Sequence, residues 1–240
     1  MVRMAGWLLA VMLAGGALPA GAAPNDLAGR QSEAERQQAQ LRDRIENLQK
    51  DIDAREAARK EAADALIPPG EGPILAIGPG VDWIGKRWPA DRYAKVALSL
   101  LGEDGPLAGG RLMIVGEEAD RDAAHSIRFA VKRERVIELQ GRLTRLQTVA
   151  ALSRADLYIG GDSLWTQLAV AAGVPAVGVF GPSDETLRRP WTGVAVRGPR
   201  SLQEFIDLDP RLNQHIQHMM DLPYERVLKA SRKLLAQLAE

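Results

Sequence analysis

Six short apolar runs mark out the larger part of the chain: Ile74–Ile77, Leu112–Val115, Val136–Leu139, Leu157–Ile159, Ala176–Phe180 and Val194–Val196. Runs of this length are the signature of strands buried on both faces; only the third carries a charge, Glu138. Between them the apolar positions recur at helical spacing, which predicts helices over Ala90–Leu101, Arg121–Ala130, Leu146–Ser153, Ser163–Ala172 and Tyr224–Leu238. Strands alternating with helices predict a parallel sheet covered on both sides, an α/β Rossmann-like domain over residues 74–240. The clearest βαβ unit runs from Asp156 to Asp184, where Gly160-Gly161 turns the chain and Gly173 and Pro175 stop the helix. In such sheets ligands bind beyond the carboxyl ends of the strands, so that edge is where chemistry is expected.

Upstream the pattern changes. Gln31 to Ala65 holds no glycine or proline and is rich in Glu, Arg, Gln, Lys and Ala. Leu41, Ile45, Leu48 and Ile52 recur at 4-3-4 spacing, the seam of a coiled coil, so residues 27–66 are expected to form a coiled-coil helix able to self-associate. The seam weakens at Arg55 and Arg59. The dense Pro and Gly of residues 67–73 cannot continue a helix and form a linker. Residues 1–22 read as a signal peptide, with Arg3 as the charged start, an apolar stretch from Trp7 to Ala17 and Ala20-x-Ala22 as the exit. A signal followed by such a helix resembles the N-terminus of murein-hydrolase activators, a likeness confined to about the first quarter of the chain.

Charge narrows the function classes. Lys+Arg and Asp+Glu each number 31, so no general basic field argues for nucleic acid or anionic membrane. With no cysteine there is no disulfide framework or thiolate metal site. His125, His215 and His218 come with no carboxylate motif, so no metal and no cofactor are expected.

Five motifs fall at the carboxyl ends of the predicted strands. Gly78-Pro79-Gly80 follows the first, and Lys86-Arg87-Trp88-Pro89 opens the next helix. A lysine held there neutralises a diphosphate, although a lone surface lysine is merely solvated. Gly116-Glu117 ends the second strand, where a carboxylate either accepts ribose hydroxyls or faces the dipole of the next helix. Gly141-Arg142-Leu143-Thr144 follows the third, with Thr144 placed as an N-cap. Asp162-Ser163 opens a helix whose free N–H groups suit a phosphate, and the same pair equally suits ordinary N-capping. Phe180-Gly181-Pro182-Ser183 is an abrupt strand end beside it.

Lys86-x-Trp88-Pro89, Gly141 before a Leu-containing helix, Asp162-Ser163, Gly173-Val174-Pro175 and Phe180-Gly181-Pro182 together resemble the ADP-heptose:lipopolysaccharide heptosyltransferases, a glycosyltransferase family. The resemblance covers about residues 74–240 and implies the C-terminal, donor-binding half of a GT-B architecture. It implies that Lys86 meets the donor phosphates, that Asp162 and Ser163 sit at the phosphate-binding helix mouth, that Arg142 and Leu143 lie along the nucleoside, and that Glu117 meets the ribose. The implied partners are an ADP-heptose-like donor and a lipopolysaccharide core acceptor, in an inverting, metal-independent transfer. The family has Gly and His where this chain has Leu164 and Gln167. Leucine adds a side chain where glycine admits close approach, and glutamine cannot carry positive charge to a departing diphosphate. The family's N-terminal domain, with its acceptor site and general base, is replaced here by signal, coil and linker, so no catalytic residue is assigned. Two other readings stand beside the transferase: a non-catalytic nucleotide-binding or scaffolding protein of the envelope, and a fusion of two unrelated gene fragments. Localisation divides the same way, since the signal points to the periplasm or inner membrane and the donor chemistry to the cytoplasm.

Overall fold

The computed structural model describes residues 24–239, so the signal reading of residues 1–22 lies outside the described residues. By its internal contacts the chain divides into two units, residues 1–55 and 56–240. One helix of 43 residues, α1 (Pro24–Leu66), holds residues of both. Its seam residues Leu41, Ile45, Leu48 and Ile52 are all exposed, by 48–62%. No described helix is long and apolar enough to cross a membrane.

The second unit holds one six-stranded sheet: β1 (Ile74–Gly78), β2 (Arg111–Ile114), β3 (Val136–Glu138), β4 (Leu157–Gly161), β5 (Ala176–Phe180) and β6 (Val194–Arg197). Every pairing is parallel and the order across the sheet is β3-β2-β1-β4-β5-β6. This is the doubly wound order, in which the chain reverses its direction of growth between β1 and β4. The strands are as the apolar runs predict, within a residue or two. Side chains alternate across each strand and supply two cores. Leu75, Ile77, Leu112, Ile114, Leu157 and Ile159 face one side, under α2 (Ala90–Leu101), α3 (Arg121–Ile127) and the closing α8 (Tyr224–Leu238). Ile74, Ala76, Met113, Val115, Ile137 and Tyr158 face the other, under α4 (Arg145–Leu152) and α5 (Leu164–Ala171).

Two further helices escape the apolar pattern: α6 (Glu185–Arg188) and α7 (Leu202–Leu208). Both are too short to show a helical repeat. Each is started instead by a side-chain cap, with Asp184 Oδ1 accepting from Thr186 N and Ser201 Oγ from Glu204 N. The stretch expected as one helix over Arg121–Ala130 tightens to a 3-10 turn at Arg128–Ala130. At the opposite edge of the sheet, Asp156 Oδ2 accepts from Ile74 N at 2.7 Å and ties the start of β1 to that of β4.

Candidate functional site

The reversal between β1 and β4 opens a cleft, because the connections leaving the two strands depart to opposite faces of the sheet. A cavity of about 520 Å³ occupies that place. The loop after β1 contributes Gly80, Asp82, Lys86 and Arg87; the turn after β2 contributes Glu117 and Asp120. The mouth of α5 contributes Asp162, Ser163, Leu164 and Gln167, and Arg188 reaches in from α6.

Glycines shape the floor in two ways. Gly78 and Gly160 stand in register across β1 and β4. A Cβ on either would lie 2.1 or 2.2 Å from the Tyr158 hydroxyl, so this pair makes room for a buried phenol rather than for a ligand. Burial pushes the phenols of both Tyr158 and Tyr93 up, and they stay neutral. Gly80 has a different neighbour: its Cβ would meet the Asp120 carboxylate, with Oδ2 at 2.1 Å. Asp120 is buried and accepts from Glu117 N at 2.8 Å, closing the turn Glu118–Asp120 in a reciprocal cap. Burial raises its carboxyl above the usual range, opposed in part by that amide.

Lys86 is central. Its ammonium lies 3.1 Å from Asp162 Oδ2 and 3.2 Å from Asp82 Oδ1. Asp162 is almost wholly buried, at 3% exposure, while Asp82 is open to solvent at 74%. Arg188 Nη1 approaches Asp162 from the other side at 3.7 Å. Asp162 Oδ2 has the ammonium at ion-pair distance but no hydrogen bond of good geometry, and Ser163 Oγ is buried with no partner. Ser163 occupies the N-cap position of α5 with extended backbone, yet its side chain makes no cap bond. Thr144, Asp184 and Ser201, by contrast, all cap their helices. Of the two roles open to Asp162-Ser163, ordinary capping is therefore not realised. The first turn of α5 lines the cavity and its N–H groups have no side-chain cap, the arrangement that seats an anion.

Six of the eight residues marked from sequence line this cavity: Lys86, Glu117, Asp162, Ser163, Leu164 and Gln167. Gln167 Nε2 donates to Arg188 O at 3.3 Å, and Leu164 is 40% exposed at the helix mouth. Arg142 and Leu143 do not line it. They follow β3, two strands from β1 and so about 10 Å away along the edge. Arg142 Nη1 turns back to Glu138 O at 3.2 Å, and Leu143 packs on the core beneath α4. Sequence reasoning missed Asp120 and Arg188, and it gave no role to Arg87, which stands within the Lys86–Pro89 motif. Asp120 had a signal in its Glu117-x-x-Asp120 spacing, whereas nothing local marks Arg188, which enters only because α6 folds back over the edge. Among the described residues no group of three or more His, Asp or Glu side chains is placed to hold a metal ion.

The model of glycosyltransferase family 9 (heptosyltransferase) matches residues 30–203, beginning within α1 rather than at β1. Lipooligosaccharide heptosyltransferase 2 of Haemophilus influenzae is 27% identical over 183 residues, covering 73% of this chain and 51% of its own. Lipopolysaccharide heptosyltransferase 3 of Escherichia coli is 26% identical over 162 residues, covering 67% and 46%. Among solved structures, Escherichia coli ADP-heptose lps heptosyltransferase II superposes with a TM-score of 0.61 at 23% identity, over 76% of this chain and 53% of its own. The family 9 glycosyl transferase of Veillonella parvula gives 0.60 at 20% identity, over 76% and 51%. The two structures are similar in fold. The chain spans about half the length of the curated relatives it matches.

Proposed function

The chain belongs to glycosyltransferase family 9, and on that footing we propose that residues 74–240 form the donor-binding half of a heptosyltransferase-like enzyme taking an ADP-activated sugar. The observation that carries this reading is the Lys86 ammonium, held 3.1 Å from buried Asp162 beside the uncapped mouth of α5. A nucleoside diphosphate placed there receives helix N–H groups, Lys86 and Arg188, and displaces the solvent-exposed Asp82 from the ammonium. Asp162 stays behind as the fixed counter-charge that keeps Lys86 in the cavity. Glu117, one strand over, accepts ribose hydroxyls, and the base runs on along the strand ends towards Arg142 and Leu143. Leu164 and Gln167 stand where the sugar and the departing phosphate lie.

In transfer, these groups stabilise charge developing on the leaving diphosphate without a metal ion. Attack from the opposite face inverts the anomeric centre and requires a base on the acceptor hydroxyl of a lipopolysaccharide core. In this reading that base and the acceptor surface come from a partner to residues 74–240.

Calorimetric titration of the full chain with ADP and an ADP-heptose tests the reading, with Lys86→Ala as comparison. A charge-assisted contact of about 1.5–3 kcal/mol corresponds to a loss of roughly 10–150-fold in affinity. Absence of binding by the folded wild-type chain, or equal affinity in Lys86→Ala, refutes it. A second reading, a scaffold that self-associates through α1, is favoured by one observation: the exposed seam Leu41, Ile45, Leu48 and Ile52.

A further inference from the structure

Lys86 sits in a loop rather than in a strand or long helix, so something must fix it. The turn Ile84–Lys86 is a single 3-10 turn, closed by Lys86 N donating to Trp83 O at 3.0 Å. Trp83 folds its indole back over Gly85, where any Cβ would meet the ring at 2.3 Å. Its Nε1 donates to Gln214 O at 3.0 Å, and its ring packs against His218 with centroids 5.6 Å apart. One residue past Lys86, the carbonyl of Arg87 accepts from Gln217 Nε2 at 3.1 Å. Lys86 is thus bracketed on both sides by a strap that arrives from about 130 residues later in the chain.

The strap has its own anchor. Asp209 and His218 are buried, at 1% and 4% exposure, with Oδ2 and Nε2 3.7 Å apart. Asp209 Oδ2 also accepts from Gln214 N at 2.9 Å, which holds the residue whose carbonyl receives the Trp83 indole. Phe205 of α7 packs edge-to-face on the His218 ring, with centroids 5.7 Å apart, and Arg200 Nη2 donates to the His218 carbonyl. Burying a histidine and a carboxylate together is costly, and at 3.7 Å, with His218 Nε2 and Asp209 Oδ1 making no hydrogen bond, their own contact does not offset that cost. Neither residue lines the cavity, yet both lead to Lys86.

We propose that Asp209 and His218 are positioning residues for the donor site, holding the Lys86 ammonium against Asp162 through Trp83 and Gln217. The line of action is Asp209 to Gln214 and His218, then to the Trp83 indole lying over Gly85, then to the neighbouring Lys86. The role assigned to Lys86 rests on the donor-site reading; the mechanical link does not.

Two measurements on the full chain test it. The first is the rate at which an amine-acylating reagent modifies Lys86, read by peptide mass spectrometry against Lys95, which is 57% exposed. His218→Ala and Asp209→Ala, which removes the acceptor for Gln214 N, free the loop and raise the Lys86 rate several-fold relative to Lys95. An unchanged ratio in folded variants overturns the proposal. Trp83→Leu, which leaves the buried pair in place but removes the indole, gives the same increase; an increase in His218→Ala but none in Trp83→Leu overturns the route through Trp83. The second is ADP affinity in a double-mutant cycle. His218→Ala weakens ADP by about tenfold when Lys86 is present and by less than about twofold in Lys86→Ala. An equal factor in both backgrounds means His218 acts on general stability and overturns the proposal. If Lys86→Ala alone leaves ADP affinity unchanged, the donor-site reading fails, and the acylation rates still decide whether the strap positions Lys86.

Discussion

Replacing Gly80 with alanine puts a methyl group into the floor of the cavity, and the structure sets the cost. The new Cβ would lie 2.1 Å from Asp120 Oδ2, 2.4 Å from its Cγ and 2.7 Å from Oδ1, so the carboxylate must move by more than an ångström. It cannot move freely, because Asp120 belongs to the turn Glu118–Asp120 and Oδ2 holds Glu117 N at 2.8 Å. Overpacking of this kind costs about 1–3 kcal/mol, and losing a hydrogen bond to a charged group about 1.5–3 kcal/mol. Release of the carboxylate to water returns part of that sum, since burial is what raises its pKa. A net loss of about 2–4 kcal/mol remains, worth roughly 4–16 °C in Tm for a domain of this size. Thermal unfolding of the full chain measures it, with Gly173→Ala as reference. Gly173 has φ +78° and nothing within 4 Å of its Cβ site, so alanine there meets only the left-handed backbone penalty of about 1–2 kcal/mol. In an Asp120→Ala background the cost of Gly80→Ala falls to within about 0.5 kcal/mol of zero. A cost unchanged by removal of the Asp120 carboxylate refutes the steric argument.

Asp120→Asn keeps an acceptor for Glu117 N and removes the buried charge. Because burial raises the Asp120 pKa, the folded wild-type chain holds this proton more tightly than the unfolded chain, and its stability falls as pH rises from the unfolded value through the folded one. The Asn variant therefore gains on wild type as urea titrations move upward from about pH 4; a relative loss over that window shows instead that the Glu117 amide outweighs burial. Ile45→Lys places a charge in the α1 seam, and if the seam pairs two copies, sedimentation velocity at micromolar concentration shifts from dimer to monomer. A wild-type chain that is already monomeric there refutes self-association through α1.

How much of this was legible from sequence follows from the range of the forces involved. Buried parallel strands write themselves as short apolar runs, broken here only by Glu138 of β3, and glycine and proline punctuate them, so all six strands stand out. Thr144-x-x-Gln147 and Ser201-x-x-Glu204 are caps that span one helical turn and so can be read from spacing alone; the second passes unnoticed only because α7 is too short to show a repeat. That Lys86, Glu117, Asp162 and Ser163 fall at strand ends is likewise a local fact. Lateral strand order is not, because any apolar strand can pair with any other until the helices on both faces are packed. Placing β3 two strands from the β1–β4 reversal takes Arg142 and Leu143 out of the cavity lining. Folding α6 back over the edge brings Arg188 in.

The same division holds for single groups. Asp162-Ser163 suits an N-cap or a phosphate seat by its local pattern, and only tertiary packing leaves Ser163 without a cap bond and brings the Lys86 ammonium, 76 residues earlier in the chain, to 3.1 Å from the carboxylate. Gly78 reads as part of a ligand loop, but its neighbour is the Tyr158 hydroxyl, supplied by β4. His218 carries no motif at all, and its link to Lys86 exists because the strap crosses the loop after β1. What the sequence determined by itself was the alternation of strands and helices and the edge on which polar groups would gather, since covalent geometry repeats over two to four residues. Which of those groups meet was decided by tertiary packing, because contacts across 30 to 130 residues depend on how buried surfaces fit and leave no periodic trace in the chain.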